Sequence, residues 1–435
     1  MIPSRKLLLA TAALIPLAAV AWLLPAVSAW WQPAAVLLVG VGLVDGFLAS
    51  RTPVPAVERQ VPASLALGQP AEVRLTITLQ ESAAAVEVRV YDHYPELAEV
   101  RNMPSGGLLS PEQPLTLSYA IRPKRRGLLE FPQCDLRLQS PLGLWWRQLT
   151  VNESTYVRCY PNFSTISQLL EFEATSNTAT SGLRLSRRRG EGIEFDQLRD
   201  YRVGDPMRSI DWKATARVQR LISREYQDER DQQVLILLDT GRRMLARDGE
   251  WSHFDHALNA ALLLTYVALR QGDAVGIVTI GDGRPWLPPR KGADAVNSVL
   301  NHIYDIEPKP VEIDFSEAAQ RVATLQKRRA LVVLLSNVRD ADADDLQQAI
   351  GLLQRRHLVM LASLREAILD QTVEAPVADF DDALQYAATE RYLEARRSTQ
   401  QIVASNGVSV DDCLPAQLAA TVANRYLSIK RAGRL

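Results

Sequence analysis

Apolar positions follow three different spacings along this 435-residue chain, and each marks a different kind of element. From Leu7 to Val27 almost every residue is apolar, and a second run from Pro33 to Ala49 follows a gap holding Trp30, Trp31 and Gln32. Each run approaches the roughly 20 residues that a helix needs to cross a bilayer. Arg5 and Lys6 precede the first run, Arg51 and Arg59 follow the second, and the connection is uncharged. The positive-inside rule therefore predicts a two-helix transmembrane hairpin with both ends cytoplasmic and the two Trp at the outer interface. Ala26-Val27-Ser28-Ala29 resembles a signal-peptidase site, and cleavage there would leave the second run as the anchor. Asp45 falls near the cytoplasmic end, where a carboxylate reaches water cheaply; an ion-pathway role is the alternative.

After Pro53, Pro55 and Pro62, read as an extended linker, the spacing becomes two. Glu72 to Leu79, Val86 to Tyr91 and Leu115 to Tyr119 alternate apolar with polar, which predicts half-buried strands and, with Gly and Pro turns between them, a β-sandwich. Arg122-Pro123-Lys124-Arg125-Arg126-Gly127 reads as a solvated hairpin turn, with lipid headgroups as the alternative ligand. Ser140-Pro141-Leu142-Gly143-Leu144-Trp145-Trp146 reads as a turn leading into an aromatic strand whose Trp pack in a core or domain interface. The polar stretch up to Arg189 reads as a linker.

The third pattern alternates unbroken apolar runs with helical periodicity. Gln233–Leu238, Ala274–Ile280, Ala330–Ser336 and Leu358–Ala362 read as strands, and Phe254–Arg270, Ala293–Ile306, Ser316–Lys327 and Asp342–Gln354 as helices. Apolar strands separated by helices predict a largely parallel sheet covered on both faces, whose ligands bind at the carboxyl ends: Asp239, Gly281-Asp282-Gly283 and Ser336-Asn337. Helical segments Asp381–Val403 and Pro415–Arg431 close the chain. The expected division is a transmembrane hairpin over 1–52, a β-sandwich over 53–162, a linker over 163–189, a charged segment over 190–231, an α/β domain over 232–375 and a helical extension over 376–435.

Composition excludes more than it selects. A net charge of -1 argues against a general nucleic-acid binder, and Arg187-Arg188-Arg189 reads as solvated linker. Cys134, Cys159 and Cys413 are scattered without CxxC spacing, so neither a disulfide framework nor a zinc site is expected. No Gly-x-x-x-x-Gly-Lys-[Ser/Thr] loop and no Gly-x-Ser-x-Gly elbow occurs. His253 and His256, three apart at a helix start, read as surface residues rather than metal ligands.

The stretch from Gly190 to Arg217 fits none of the three patterns. Acidic and basic residues alternate through it, Gly204-Asp205-Pro206 forces a turn, and Phe195, Tyr201 and Trp212 supply apolar anchors. Such a segment folds by pairing its charges, either as a loop pinned to its own domain, as a docking surface, or as both. It resembles the family catalogued as domain of unknown function 58. That family's signature is met at Glu194, Phe195, Leu198, Arg199, Tyr201, Gly204, Asp205, Arg208, Ile210, Asp211, Trp212, Lys213, Ala216 and Arg217. The resemblance implies a von Willebrand factor type A-like domain after the β-sandwich and the membrane hairpin. It also implies association with MoxR-type AAA+ ATPases at the bacterial inner membrane, acting on an unknown client, with the soluble domains cytoplasmic.

The type A fold commonly holds a divalent cation through Asp-x-Ser-x-Ser after its first strand, but here the stretch is Asp239-Thr240-Gly241-Arg242-Arg243, and Asn337 stands where a second Asp is usual. A degenerate site without metal or other cofactor is the expectation, with Arg242 or Arg243 available to a carboxylate instead. The expected function is a membrane-anchored, non-enzymatic adaptor whose signature docks a partner. The alternative is a hydrolase using Asp205, Asp211 and Lys213, although carboxylates interleaved with Arg are driven toward permanent ionisation.

Overall fold

A computed structural model describes residues 1–23, 25–79, 85–162, 194–202, 205, 207–227 and 232–435. The expected linker over 163–189 lies outside the described residues. The chain divides into two compact units, Met1–Tyr160 and Pro161–Leu435.

The first unit opens with helices Arg5–Leu23 and Pro25–Arg51. Within the second, Trp30–Arg51 is long and apolar enough to cross a membrane. The expected connection at Trp30-Trp31-Gln32 is helical. Pro25 opens this helix, at the one helical position where its missing N–H costs nothing. Trp31 Nε1 donates to the Leu14 carbonyl at 3.1 Å, so the two helices touch.

Three sheets complete this unit. Val86–Asp92 lies in a five-stranded sheet between the edge strand Ser105–Leu109 and the central strand Cys134–Gln139, which pairs in turn with Trp145–Val151. Ile2–Pro3 adds its outer edge. Val86, Val88 and Val90 are buried while the residues between them are exposed, as the period of two requires. The expected linker after Pro53 is a strand instead: Ala56–Gln60 pairs antiparallel with Ala71–Thr78. Arg59, counted above as a membrane-flanking charge, is buried. It grips Asp92 through Nε at 3.1 Å to both carboxylate oxygens and donates to the Phe131 carbonyl at 3.0 Å, while Tyr119 donates to Asp92 at 2.7 Å. Burial pushes the Tyr119 hydroxyl up from its ordinary pKa, so it stays a donor. The basic turn is largely paired internally: Lys124 and Arg122 meet Glu99 at 2.6 and 3.6 Å, and Arg126 is buried.

Asp45 does not reach water. It is 0% exposed and accepts from Ser140 Oγ at 2.5 Å, Leu142 N at 2.8 Å and Leu144 N at 3.1 Å. Trp145, expected in a core or a domain interface, lies against the same helix and donates from Nε1 to the Gly42 carbonyl at 2.8 Å. A Cβ at Gly46 would meet that indole at 3.5 Å, so a small residue lets strand and helix approach.

In the second unit six strands form one sheet: β1 (Gln233–Asp239), β2 (Ala274–Ile280), β3 (Leu287–Arg290), β4 (Leu331–Ser336), β5 (Leu358–Leu364) and β6 (Ser409–Cys413). Their order is β3-β2-β1-β4-β5-β6, parallel except for β3. Alternate residues of the central strands enter two cores. Val234, Ile236 and Leu238 pack with α1 (His253–Arg270), while Leu235 and Leu237 pack with α3 (Phe315–Leu325) and α4 (Ala343–Gln354). A further helix, α2 (Ala293–Ile303), gives Val299 and Ile303 to the first core. The helices α5 (Ala367–Glu374), α6 (Phe380–Ser405) and α7 (Pro415–Arg431) follow β5.

Two strands escape the sequence pattern. β3 holds Pro288 and Pro289, tolerated at a sheet edge, and approaches so closely that a Cβ on Gly276 would lie 2.7 Å from the Leu287 carbonyl. β6 reads Ser-Val-Asp-Asp-Cys, too polar to announce itself. Residues 376–435 are therefore not an appended helical extension. They supply β6, and Leu418, Val422 and Tyr426 of α7 belong to the main core. Tyr426 and Lys430 also clamp the buried Asp273, the lysine at 2.6 Å. No disulfide forms among the described cysteines, and burial pushes the thiols of Cys134 and Cys413 up to about 12 and about 11. Thiols so raised are inert at neutral pH.

Candidate functional site

The charged segment is not the irregular stretch that its sequence suggests. Glu194–Asp200 pairs antiparallel with Ile222–Gln227, with a bulge between Phe195 and Gln197, and a short helix Trp212–Val218 sits between the two strands. Asp211 caps that helix, accepting from Ala214 N at 2.9 Å through one oxygen and from Arg224 Nε at 2.9 Å through the other. Gln219 ends it in the left-handed conformation at φ 59°. Ile222 N donates to Thr215 Oγ1 at 3.0 Å, tying helix to strand.

Asp205 organises the turn before the helix. Arg199 holds both of its oxygens at 2.8 and 2.9 Å, and Arg202 N adds a third bond at 2.9 Å. Tyr201 donates its hydroxyl to the Asp205 carbonyl at 3.0 Å. The Arg199 guanidinium, with the Arg202 amide, holds the Asp205 carboxyl below the usual carboxylate range; the Ala214 amide and then Arg224 do the same for Asp211. Both are satisfied acceptors. Gly204 and Pro206 lie outside the described residues, as do the side chains of Glu194, Phe195 and Arg208.

With the charges turned on one another, apolar groups are left facing outward. Met207 is 76% exposed and Trp212 65%, and Leu198, Val218 and Leu221 are exposed too. Trp212 is thus not the anchor its sequence context suggests. Among the described residues of the motif, Ile210 and Ile222 are the buried apolar ones. Lys213 and Arg217 are exposed at i and i+4, on one side of the short helix.

The carboxyl end of the sheet is the second candidate. Asp239 ends β1 and Ser336 ends β4, the two strands at which the order reverses. Asp239 is buried, accepting from Ser336 Oγ at 2.6 Å and Gly241 N at 2.7 Å, and burial pushes its carboxyl up. Gly241 is demanded by packing, since a Cβ there would lie 2.8 Å from Ile313 Cγ2. Arg243 is engaged by Asp342, and Arg242 meets Glu312 at 2.8 Å on the surface, so Arg243 is no open receptor for an outside carboxylate.

Asn337 donates to Glu366 at 2.8 Å and accepts from Arg396 at 3.0 Å. Arg396 was not singled out from sequence. Its guanidinium, reaching in from α6, also donates to the Val338 carbonyl at 2.7 Å, Ser363 Oγ at 2.7 Å and Asp412 at 2.8 Å. Its only sequence signal is a charge on the otherwise buried stripe of Leu393, Thr399 and Val403. A divalent cation needs a cage of free oxygens, and these residues do not fit one: Asp239 is already doubly bonded and an internal guanidinium occupies Asn337. Among the described residues no three His, Cys, Asp or Glu gather as metal ligands. His253, expected at the surface, is buried against Asp248 at 2.9 Å.

Residues 197–406 match the family described as protein of unknown function DUF58. The chain is similar to the uncharacterized protein YeaD of Bacillus subtilis, 22% identical over 189 residues, 43% of this chain and 45% of that protein. It is also similar to the uncharacterized protein Rv1480 of Mycobacterium tuberculosis, 24% identical over 151 residues, 34% of this chain and 48% of that one. The chain thus spans about half the length of the curated relatives it matches. Among solved structures, proximal thread matrix protein 1 of the mussel byssus aligns at 12% identity over 47% of this chain and 49% of that one, with a TM-score of 0.27.

Proposed function

We propose, for a chain whose residues 197–406 match the DUF58 family of proteins of unknown function, a non-enzymatic role as a membrane-anchored adaptor. Its signature motif docks a MoxR-type AAA+ ATPase for work on a client protein. The observation that carries this reading is the exposed set of Trp212, Met207, Leu198 and Leu221 on a motif whose own polar groups are satisfied. Large apolar side chains held outward mark interaction sites, and Trp is the residue most enriched at binding hot spots. Lys213 and Arg217 beside them suit a partner surface that is apolar with an acidic rim.

The anchor in this reading is a two-pass hairpin in the bacterial inner membrane with the soluble units cytoplasmic. It is supported by the apolar length of Trp30–Arg51, by the contact of Trp31 with Leu14, and by Ile2–Pro3 pairing with Trp145-Trp146 close to the end of the second helix. The second unit reads as type A-like on its strand order and its antiparallel β3. No metal or cofactor takes part in this reading. A hydrolase built on the signature would need a carboxyl raised toward neutrality, whereas Asp205 and Asp211 are both shifted the other way.

The test is a pull-down from solubilised membranes with the full chain as bait, with and without ATP and with magnesium chelated. Nucleotide-dependent capture of a MoxR-type ATPase is the expected result. Its absence under every condition would remove the adaptor reading.

A further inference from the structure

The turn that Asp45 holds is not spent on the protein's own core. Ser140, Leu142 and Leu144 converge their donors on one carboxylate near the end of the long apolar helix, and Gly143 turns at φ 75° to allow it. Leu142 itself is exposed, and with Val36, Leu37, Gly40, Val41 and Val44 of the helix it lines one open apolar groove. These helix residues run from the neighbour of Asp45 to about two and a half turns inward, in the part of the chain that would face lipid. Lys6 Nζ lies beside the Gly143 position, and Arg147 donates to the Thr52 carbonyl at 2.6 Å, so cations flank the same level.

We infer that the Ser140–Leu144 turn is a membrane-interface wedge: the β-rich part rests directly on the bilayer, with Leu142 among the lipid chains and Asp45 latching the turn to the spanning helix. The occupant of the groove is lipid, because the groove is continuous with the helix surface that the bilayer covers. The latch also explains an acidic residue on such a helix. A carboxylate at that depth is costly when solvated by nothing, and three directed donors replace water. With Trp145 bonded to Gly42 and Arg147 to Ala49 and Thr52, the strand and the helix end form one body. This inference rests on the membrane-spanning reading of Trp30–Arg51.

The experiment reconstitutes the full chain in vesicles of phosphatidylethanolamine and phosphatidylglycerol, with a nitroxide on Leu142→Cys or, separately, Val41→Cys. Each label's collision with oxygen and with a water-soluble nickel complex is then measured. The native cysteines are buried, and the unsubstituted chain sets the background. Both labels are expected to favour oxygen, and Asp45→Ala is expected to move Leu142→Cys, but not Val41→Cys, toward nickel. If Val41→Cys favours nickel, the spanning reading fails. If Val41→Cys favours oxygen while Leu142→Cys favours nickel, or is shielded from both as under a protein partner, the wedge fails alone. A Leu142→Cys label that stays in lipid with Asp45→Ala overturns the latch.

Discussion

Arg396 and Arg199 each grip an aspartate, but one does so inside the second unit's sheet and the other on a surface motif. Arg396 is 2% exposed and spreads its donors over the turn after β4 and over β5 and β6, so the pair with Asp412 closes the carboxyl end of the sheet. Arg199 is 26% exposed and holds both oxygens of Asp205, with a further bond to the neighbouring Asp200 carbonyl at 3.2 Å, which fixes one turn. The first arrangement holds a fold together, and the second holds a shape in place for something else to touch. In the signature motif charges supply geometry and the apolar side chains are left to solvent. In the sheet the apolar side chains are inside and a charge seals them.

The sharpest way to break this contrast is Arg396→Met. It leaves the Asn337 and Leu364 acceptors buried without that donor, while the part-exposed Asp412 keeps Gln400 and Arg365, a loss of ~1–3 kcal/mol for each orphaned acceptor, read as a lower denaturation midpoint. Met207→Ser combined with Leu198→Ser is expected to act oppositely, weakening capture of the ATPase by roughly 30-fold or more, the size of one interface hot spot, with thermal unfolding unchanged. An equal fall in stability would mean that these side chains pack inside the protein.

Asp211→Asn should lower the melting temperature modestly, because the amide still caps Ala214 N but no longer pairs with Arg224, and capture should fall with it. A hydrolase would instead keep its fold and lose turnover. The smallest effect is in pH. Burial depresses His256, His302 and His357, so the unfolded chain takes up protons more readily than the folded one. Stability is complete above the unfolded value of about 6.5 and declines as pH falls toward the folded values. Asp205 and Asp211 have depressed pKa values, so their contribution is present above about pH 4 and disappears in stronger acid. Melting temperatures from about pH 8 down to about pH 4 should show the histidine step first.

The apolar runs of β1, β2, β4 and β5 were legible because burial on both faces leaves a continuous hydrophobic signature. β3 and β6 were not, since an edge strand with two prolines or two aspartates carries no such mark. The clamps were hidden for another reason. Arg59 finds Asp92, Asp45 finds Ser140 and Arg396 finds Asn337 at separations of 33, 95 and 59 residues, and a lone charge announces a partner without naming it. At the signature the residues were legible and their directions were not. Alternating charges predicted pairing, but only the β-hairpin shows that Trp212 faces outward.

The most direct test of the account is the affinity of a purified MoxR-type ATPase for the full chain in lipid nanodiscs, compared with Trp212→Ala. ATP-dependent binding that the substitution abolishes, with the melting temperature at the parent value, is the expected result. Binding undiminished by Trp212→Ala would contradict it.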